Sequence, residues 1–280
     1  MKETVITSRV NPLVKSISGL TEKKNRIKEE VFRFDGVKLF CEAVEFGMDI
    51  KNVILKVPEK ESVAEAVEKA VRSGRLDGGC VVRVSDSVFE KLSEERAPEG
   101  IITVASFAPH LHLRENIQNS VKIASGYKKI LILESVRDPG NLGAIMRSCN
   151  ALGIEMLVIS SDCADIYSPK TIRSAMGAVF KQKTLTVPVE ELAGFITALR
   201  ASGRRIYATA LSDRSVSIDD IVLDEQDCFV IGNEGHGLSD PVIGACDAAV
   251  IIPMAEGAES LNAAVAASLC IWETVRTKRS

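Results

Sequence analysis

The sequence lacks the features that would announce a special class. Aromatic residues make up only 5% of its 280 positions, with a single Trp. No segment reaches the ~18 continuous apolar residues of a membrane span. No apolar stretch follows Met1-Lys2-Glu3-Thr4, so no signal peptide is expected. The seven cysteines, at 41, 80, 149, 163, 228, 246 and 270, are irregularly spaced and include no CxxC pair. That argues against a disulfide framework and for a reducing, cytoplasmic compartment, with Cys149, Cys228 and Cys270 acting as small core residues. A global excess of positive charge is also missing, since the formal net charge is −3. Only three histidines occur. His110-x-His112 has no third ligand nearby in sequence, so no metal is expected. There is no internal repeat and no low-complexity tract.

What is present is ordinary globular composition, 46% hydrophobic and 26% charged, over a length that suits two domains. The charge is unevenly spread. Residues 1–28 carry Lys2, Arg9, Lys15, Lys23, Lys24, Arg26 and Lys28 against Glu3 and Glu22. This reads either as a solvated helix face or as a basic arm that contacts phosphate.

Periodicity divides the chain into a smaller α/β domain over 1–107, a linker over 108–127 and a more apolar α/β domain over 128–280. In the first, Asn11-Pro12 opens a helix, Phe32 and Phe34 alternate in a strand, and further helices and strands follow to Phe107. In the last, apolar runs at 130–133, 156–159, 184–187, 205–211, 228–231 and 249–252 alternate with helical stretches at 141–152, 168–180, 190–202 and 263–275. Such alternation predicts a parallel sheet with helices on both faces.

Three turns follow strand ends in this last domain, where ligands of open α/β sheets bind. The first is Asp138-Pro139-Gly140-Asn141, with Arg147 further along the helix. Gly140 and Gly143 supply only G-x-x-G, so the dinucleotide fingerprint G-x-G-x-x-G is missing although Asp162 has roughly the position of its acid. The second, Gly232-Asn233-Glu234-Gly235-His236-Gly237, sets one carboxylate among three glycines. The third runs from Ile252-Pro253-Met254 to Ser260-Leu261-Asn262, with Ser260 as the expected cap of the final helix. Each is explained singly as a cap or a tight loop.

Together and in this order, the three turns resemble the motifs of the SpoU/TrmH family of RNA 2′-O-ribose methyltransferases, in the SPOUT class. Asn141 and Arg147 match its first motif, Gly232, Glu234 and Gly237 its second, and Ile252-Pro253-Met254 with Ser260-Leu261-Asn262 its third. Ser8-x-x-Asn11-Pro12-x-x-Lys15 and Glu95-Arg96-x-Pro98-Glu99-Gly100-Ile101 resemble the L30e-like RNA substrate-binding domain found in part of this family.

The resemblance implies a deep trefoil knot in the parallel sheet, S-adenosylmethionine as cofactor, RNA as partner and a homodimer. It implies Gly232, Ile252, Leu261, Ala210, Met254 and Gly237 as cofactor contacts. Arg147, Asn141, Glu234, Ser260 and Asn262 are implied as catalytic residues, with Glu234 holding Arg147 or Asn141. The two-domain layout favours 23S ribosomal RNA. The alternatives are a tRNA 2′-O-methyltransferase, a catalytically idle RNA-binding protein and, on the weak glycine pattern, an NAD enzyme.

Overall fold

The computed structural model describes residues 5–211, 215–255, 257 and 260–276. Two compact units emerge. The first comprises the described residues up to Ala108 with Tyr167–Phe180; the second comprises Pro109–Ile166 and the described residues from Lys181 onward.

The first unit contains α1 (Pro12–Gly19), α2 (Lys23–Glu29), β1 (Val31–Asp35), α3 (Val37–Glu45), β2 (Ile50–Val57), α4 (Glu61–Arg72), β3 (Val81–Ser85), α5 (Asp86–Leu92) and β4 (Ile101–Ser106). Its four strands are ordered β1-β4-β2-β3, with β4 antiparallel to β1 and β2, and β3 parallel to β2. Asn11 caps α1 through its side chain, as Asn-Pro predicts. The basic lead is partly consumed by the fold. Arg26 is buried, donating to the carbonyls of Leu20 and Thr21. Arg9 donates to the Ser87 carbonyl and accepts at its own carbonyl from Lys91. Lys15, Lys23 and Lys24 remain exposed.

Strand β1 departs from simple alternation. Arg33 is as buried as Phe32 and Phe34, and it donates to the Leu92 carbonyl beside Asp35. Burial drives the Asp35 carboxyl above its usual range, against the opposing pull of Arg33. Five aromatics, Phe32, Phe34, Phe107, Tyr167 and Phe180, gather here. Phe107 stacks on Tyr167 with ring centres 4.2 Å apart, and Phe180 lies 5.1 Å from Phe34.

The remaining elements are β5 (His112–Arg114), α6 (Ile117–Ser125), β6 (Ile130–Leu133), α7 (Pro139–Leu152), β7 (Met156–Ser160), α8 (Pro169–Ala175), β8 (Thr184–Val187), α9 (Leu192–Arg200), β9 (Ile206–Thr209), β10 (Val216–Ser217), β11 (Cys228–Ile231), α10 (Asp240–Ala245), β12 (Ala248–Ile251) and α11 (Ala263–Arg276). Of these only α8 clusters with the first unit. The second unit carries an all-parallel sheet ordered β10-β12-β9-β11-β6-β7-β8-β5. One face buries Ile130, Ile132, Val158 and Val230 against α6, α9 and α10. On the other, α11 packs on β11 and α7. Coverage of both faces is why these strands read as unbroken apolar runs.

Two local expectations change. The segment 108–127, expected as a linker, carries edge strand β5 and helix α6. His112 is held there by a 2.8 Å hydrogen bond between its Nδ1 and Thr184 Oγ1. The helix expected over 168–180 stops at Ala175, because Met176 and Gly177 adopt φ of 48° and 81°. Gly177 stands against the Glu42 side chain, and a Cβ there would fall 2.7 Å from its carboxyl carbon. Cys149, Cys228 and Cys270 are buried and free, and burial pushes the Cys228 and Cys270 thiols up to about 12.

Candidate active site

The first turn is built by side chains that accept from the backbone. Asp138 caps α7, its carboxylate accepting from the Asn141 N–H at 2.9 Å, with Pro139 in the first turn. Just upstream, the buried Glu134 accepts from the Ser239 N–H at 2.9 Å and from its hydroxyl at 2.6 Å, tying the end of β6 to the start of α10. Ser135 sits at φ 55°. Ser160 Oγ receives its N–H at 2.8 Å, and its own hydroxyl donates to Asp162 at 2.7 Å. Asp162 is therefore engaged by Ser135, Ser160 and Arg137. Burial raises its carboxyl, but these three partners together hold it below the usual carboxylate range.

The second turn is closed on itself. Asn233 and Gly237 exchange two backbone hydrogen bonds of 3.0 Å. The Asn233 side chain accepts from the N–H groups of Gly235 and His236 and donates to the Ser135 carbonyl at 2.8 Å. Asn233 thus joins the second turn to the first. Sequence reasoning overlooked it, although an Asn among glycines is a known turn former. Glu134 gave no comparable signal, since its partner lies 105 positions away.

The third turn meets the other two at one side chain. Helices α7 and α11 pack against each other, with Ser148 and Ser268 hydroxyls 2.9 Å apart. This brings their first residues together. Asn141 Nδ2 donates to Glu234 Oε1 at 2.9 Å, and Asn141 Oδ1 accepts from Asn262 Nδ2 at 2.9 Å. Asn262 Oδ1 in turn accepts from the N–H groups of Ala264 and Val265. Asn262, not Ser260, caps the final helix. Of the two partners expected for Glu234, the geometry selects Asn141. Arg147 lies six residues along α7, about 9 Å of helix rise away. It is exposed and makes no hydrogen bond or ion pair with any described residue.

A cleft of about 760 Å³ opens beside this junction, at the ends of β9, β11 and β12. All six residues expected to touch a cofactor, Ala210, Gly232, Gly237, Ile252, Met254 and Leu261, line it. Glu234 and Ser260 line it too, whereas Asn141 and Asn262 stand behind Glu234 and Arg147 lies outside. Gly232 has no room for a side chain. A Cβ there would lie 2.6 Å from both the Gly237 carbonyl oxygen and the Leu238 nitrogen.

A model of the SpoU rRNA Methylase family matches residues 128–272, more than half of the chain. The chain belongs to this family. It is thereby an S-adenosylmethionine-dependent RNA methyltransferase. A model of the MRM3-like substrate binding domain matches residues 11–103. Among SpoU relatives, the chain is 29% identical over 267 residues to the 23S rRNA (guanosine(2553)-2′-O)-methyltransferase RlmP of Bacillus subtilis, covering 95% of this chain and 97% of that one. It is 27% identical to the 23S rRNA (uridine(2479)-2′-O)-methyltransferase of Streptomyces viridochromogenes, covering 93% and 88%. The S-adenosylmethionine-bound rRNA methyltransferase from Sinorhizobium meliloti shares its fold with a TM-score of 0.82 at 28% identity, over 99% of this chain and 98% of that one.

The cleft's chemistry fits the cofactor of the SpoU family. Its volume lies within the range of small-molecule sites. Ile231, Val250, Ile252 and Leu261 offer apolar walls for a purine, and no Lys or Arg appears among its described lining residues. A pyrophosphate, which a nicotinamide dinucleotide carries, would find no cation there. The acid expected for such a dinucleotide, Asp162, is already engaged elsewhere. A ligand with a sulfonium finds Glu234.

Proposed function

We propose that the chain transfers a methyl group from S-adenosylmethionine to a ribose 2′-hydroxyl of 23S ribosomal RNA. The observation that carries this reading is the Glu234–Asn141–Asn262 hydrogen-bonded junction standing at the edge of a cleft whose described lining residues include no Lys or Arg. The relatives named for 23S rRNA match it over nearly their whole length.

S-adenosylmethionine, when bound, supplies an electrophilic methyl on its sulfonium. The chain's own residues hold and orient. Ala210, Gly232, Gly237, Ile252, Met254 and Leu261 bind the adenosyl part by backbone and apolar contact. The ribose oxygen is a poor nucleophile until its proton leaves. Arginine is too basic to act as an ordinary base, so Arg147 orients the RNA phosphate and the hydroxyl and favours the developing oxyanion. Asn141, fixed in orientation by Glu234 and Asn262, presents its remaining N–H toward the reacting end. Ser260 completes the wall. The domain over 1–107 recognises RNA shape and phosphate, with exposed Lys15, Lys23 and Lys24 as its positive face.

The same reading includes a trefoil knot in the domain over 128–280. Its support is the insertion of β11 between β6 and β9 together with the return of α11 onto α7. An L30e-like architecture for the first domain draws support from its four-stranded mixed sheet. A homodimer is part of the proposal because Val265, Leu269 and Trp272 form an exposed apolar stripe along α11, each at least 40% exposed. Light scattering at micromolar concentration should give twice the chain mass; a monomer would remove the dimer from this account. The free thiols suit a cytoplasmic site of action.

Calorimetry should detect S-adenosylmethionine binding and no binding of NADH. Mapping of 2′-O-methyl positions in ribosomal RNA from cells with and without the protein should reveal one site that depends on it. Loss of no 23S position would reject the substrate assigned here.

A further inference from the structure

Within that reading, the structure assigns Glu234 a second task, as the counter-charge by which the site tells the methyl donor from the spent product. Glu234 is the sole charged side chain among the described residues that line the cleft. Its hydrogen-bond partner, Asn141 Nδ2, is a neutral amide, and no described cation pairs with it. A carboxylate in that position attracts a cationic ligand and gives a neutral one no Coulombic advantage.

The donor and the product differ by that one charge. S-adenosylmethionine carries a sulfonium. When the methyl leaves, the S–CH₃ bond breaks, the electron pair stays on sulfur, and the new bond forms to the ribose oxygen as its proton is released. The remaining thioether is neutral. On the proposed reaction the methyl would face the nucleotide, which would set the sulfonium toward the end of the cleft nearest Asn141. That is the end occupied by Glu234, which is bonded to Asn141 directly. Transfer therefore removes the partner of the Glu234 charge, favouring release of product and its replacement by fresh donor. Positive charge disperses in the transition state, so this effect belongs to donor binding and product exchange rather than to the barrier.

Glu234→Gln separates this charge from the hydrogen bond. Glutamine keeps an oxygen that accepts from Asn141 Nδ2 and loses only the charge. Calorimetry on the full-length protein should show S-adenosylmethionine binding weakened about tenfold, with S-adenosylhomocysteine binding changed less than about twofold. Asn141→Ala, which leaves the carboxylate in place, should keep the ratio of the two affinities at the wild-type value. Equal weakening of both ligands in Glu234→Gln, or of neither, would overturn the assignment while leaving the methyltransferase reading intact. Failure of the wild-type protein to bind either ligand would instead remove the reading on which the assignment rests.

Discussion

Asn141→Asp is expected to reduce labelled-methyl transfer to RNA on the order of a thousandfold. The substitution keeps the oxygen that accepts from Asn262 and replaces the amide nitrogen that donates to Glu234 at 2.9 Å. Two carboxylate oxygens then face each other at contact distance, where both cannot stay ionised. Either the pair takes up a proton or the second turn moves away from the first. Movement displaces Glu234 from the cleft, so the loss should reach the second motif as well as the first, while the bond from Asn262 is kept. A stability cost of about 1–3 kcal/mol should accompany it, from the broken bond and the repulsion. Transfer by this variant should recover partly as pH falls, because a shared proton restores a donor between the two groups. Single-turnover assays across pH, with thermal melts alongside, make the check. Arg147→Ala offers the contrast. It should lose a similar factor in transfer while its melting temperature and S-adenosylmethionine affinity stay at wild-type values, since Arg147 is exposed and unpartnered among the described residues. Undiminished transfer by Arg147→Ala would make that residue part of the surface only.

Gly232→Ala should abolish cofactor binding and lower stability by about 2–3 kcal/mol. The added methyl would stand 2.6 Å from the Gly237 carbonyl oxygen and the Leu238 nitrogen, both of them main-chain atoms. A flexible side chain would give way at small cost, but here the two-way Asn233–Gly237 backbone pairing must open. The Asn233 side chain depends on the same geometry for its bonds to Gly235, His236 and Ser135. The turn should therefore shift as a unit, with a loss of S-adenosylmethionine affinity beyond about a hundredfold. Calorimetry and thermal unfolding of the one variant test both parts. Wild-type affinity in a folded Gly232→Ala protein would show that the turn does not form the floor of the site.

Much of this arrangement was legible in the residues. Strand and helix periods placed the parallel sheet, because strands covered on both faces are apolar throughout. Asn11-Pro12 marked a helix start through local capping chemistry. The candidate cofactor residues came as a set from the resemblance to the SpoU/TrmH motifs, and the fold gathers them along one cleft. Other features depended on partners far away in sequence. Arg26 looked like a surface or phosphate-binding residue until the fold enclosed it and turned it on backbone carbonyls. The need for glycine at 177 reflects the Glu42 side chain, more than a hundred positions earlier. Ser260 looked like the cap because Ser is a common one. Asn262 took that place as the residue directly before α11, its side-chain oxygen reaching the free N–H groups of the first turn.

The sequence by itself determined the family, the cofactor and the three turns that meet at the candidate site. These rest on the resemblance carried by three short motifs, whose residue types stand at fixed short spacings within single turns. Only the tertiary structure decided that Glu234 bonds Asn141 rather than Arg147, and that Asn262 shares the same junction. The residues of that junction are separated by 93 and 121 positions. Their meeting depends on how closely α7 and α11 pack and on where β11 enters the sheet, and no short-range pattern encodes either.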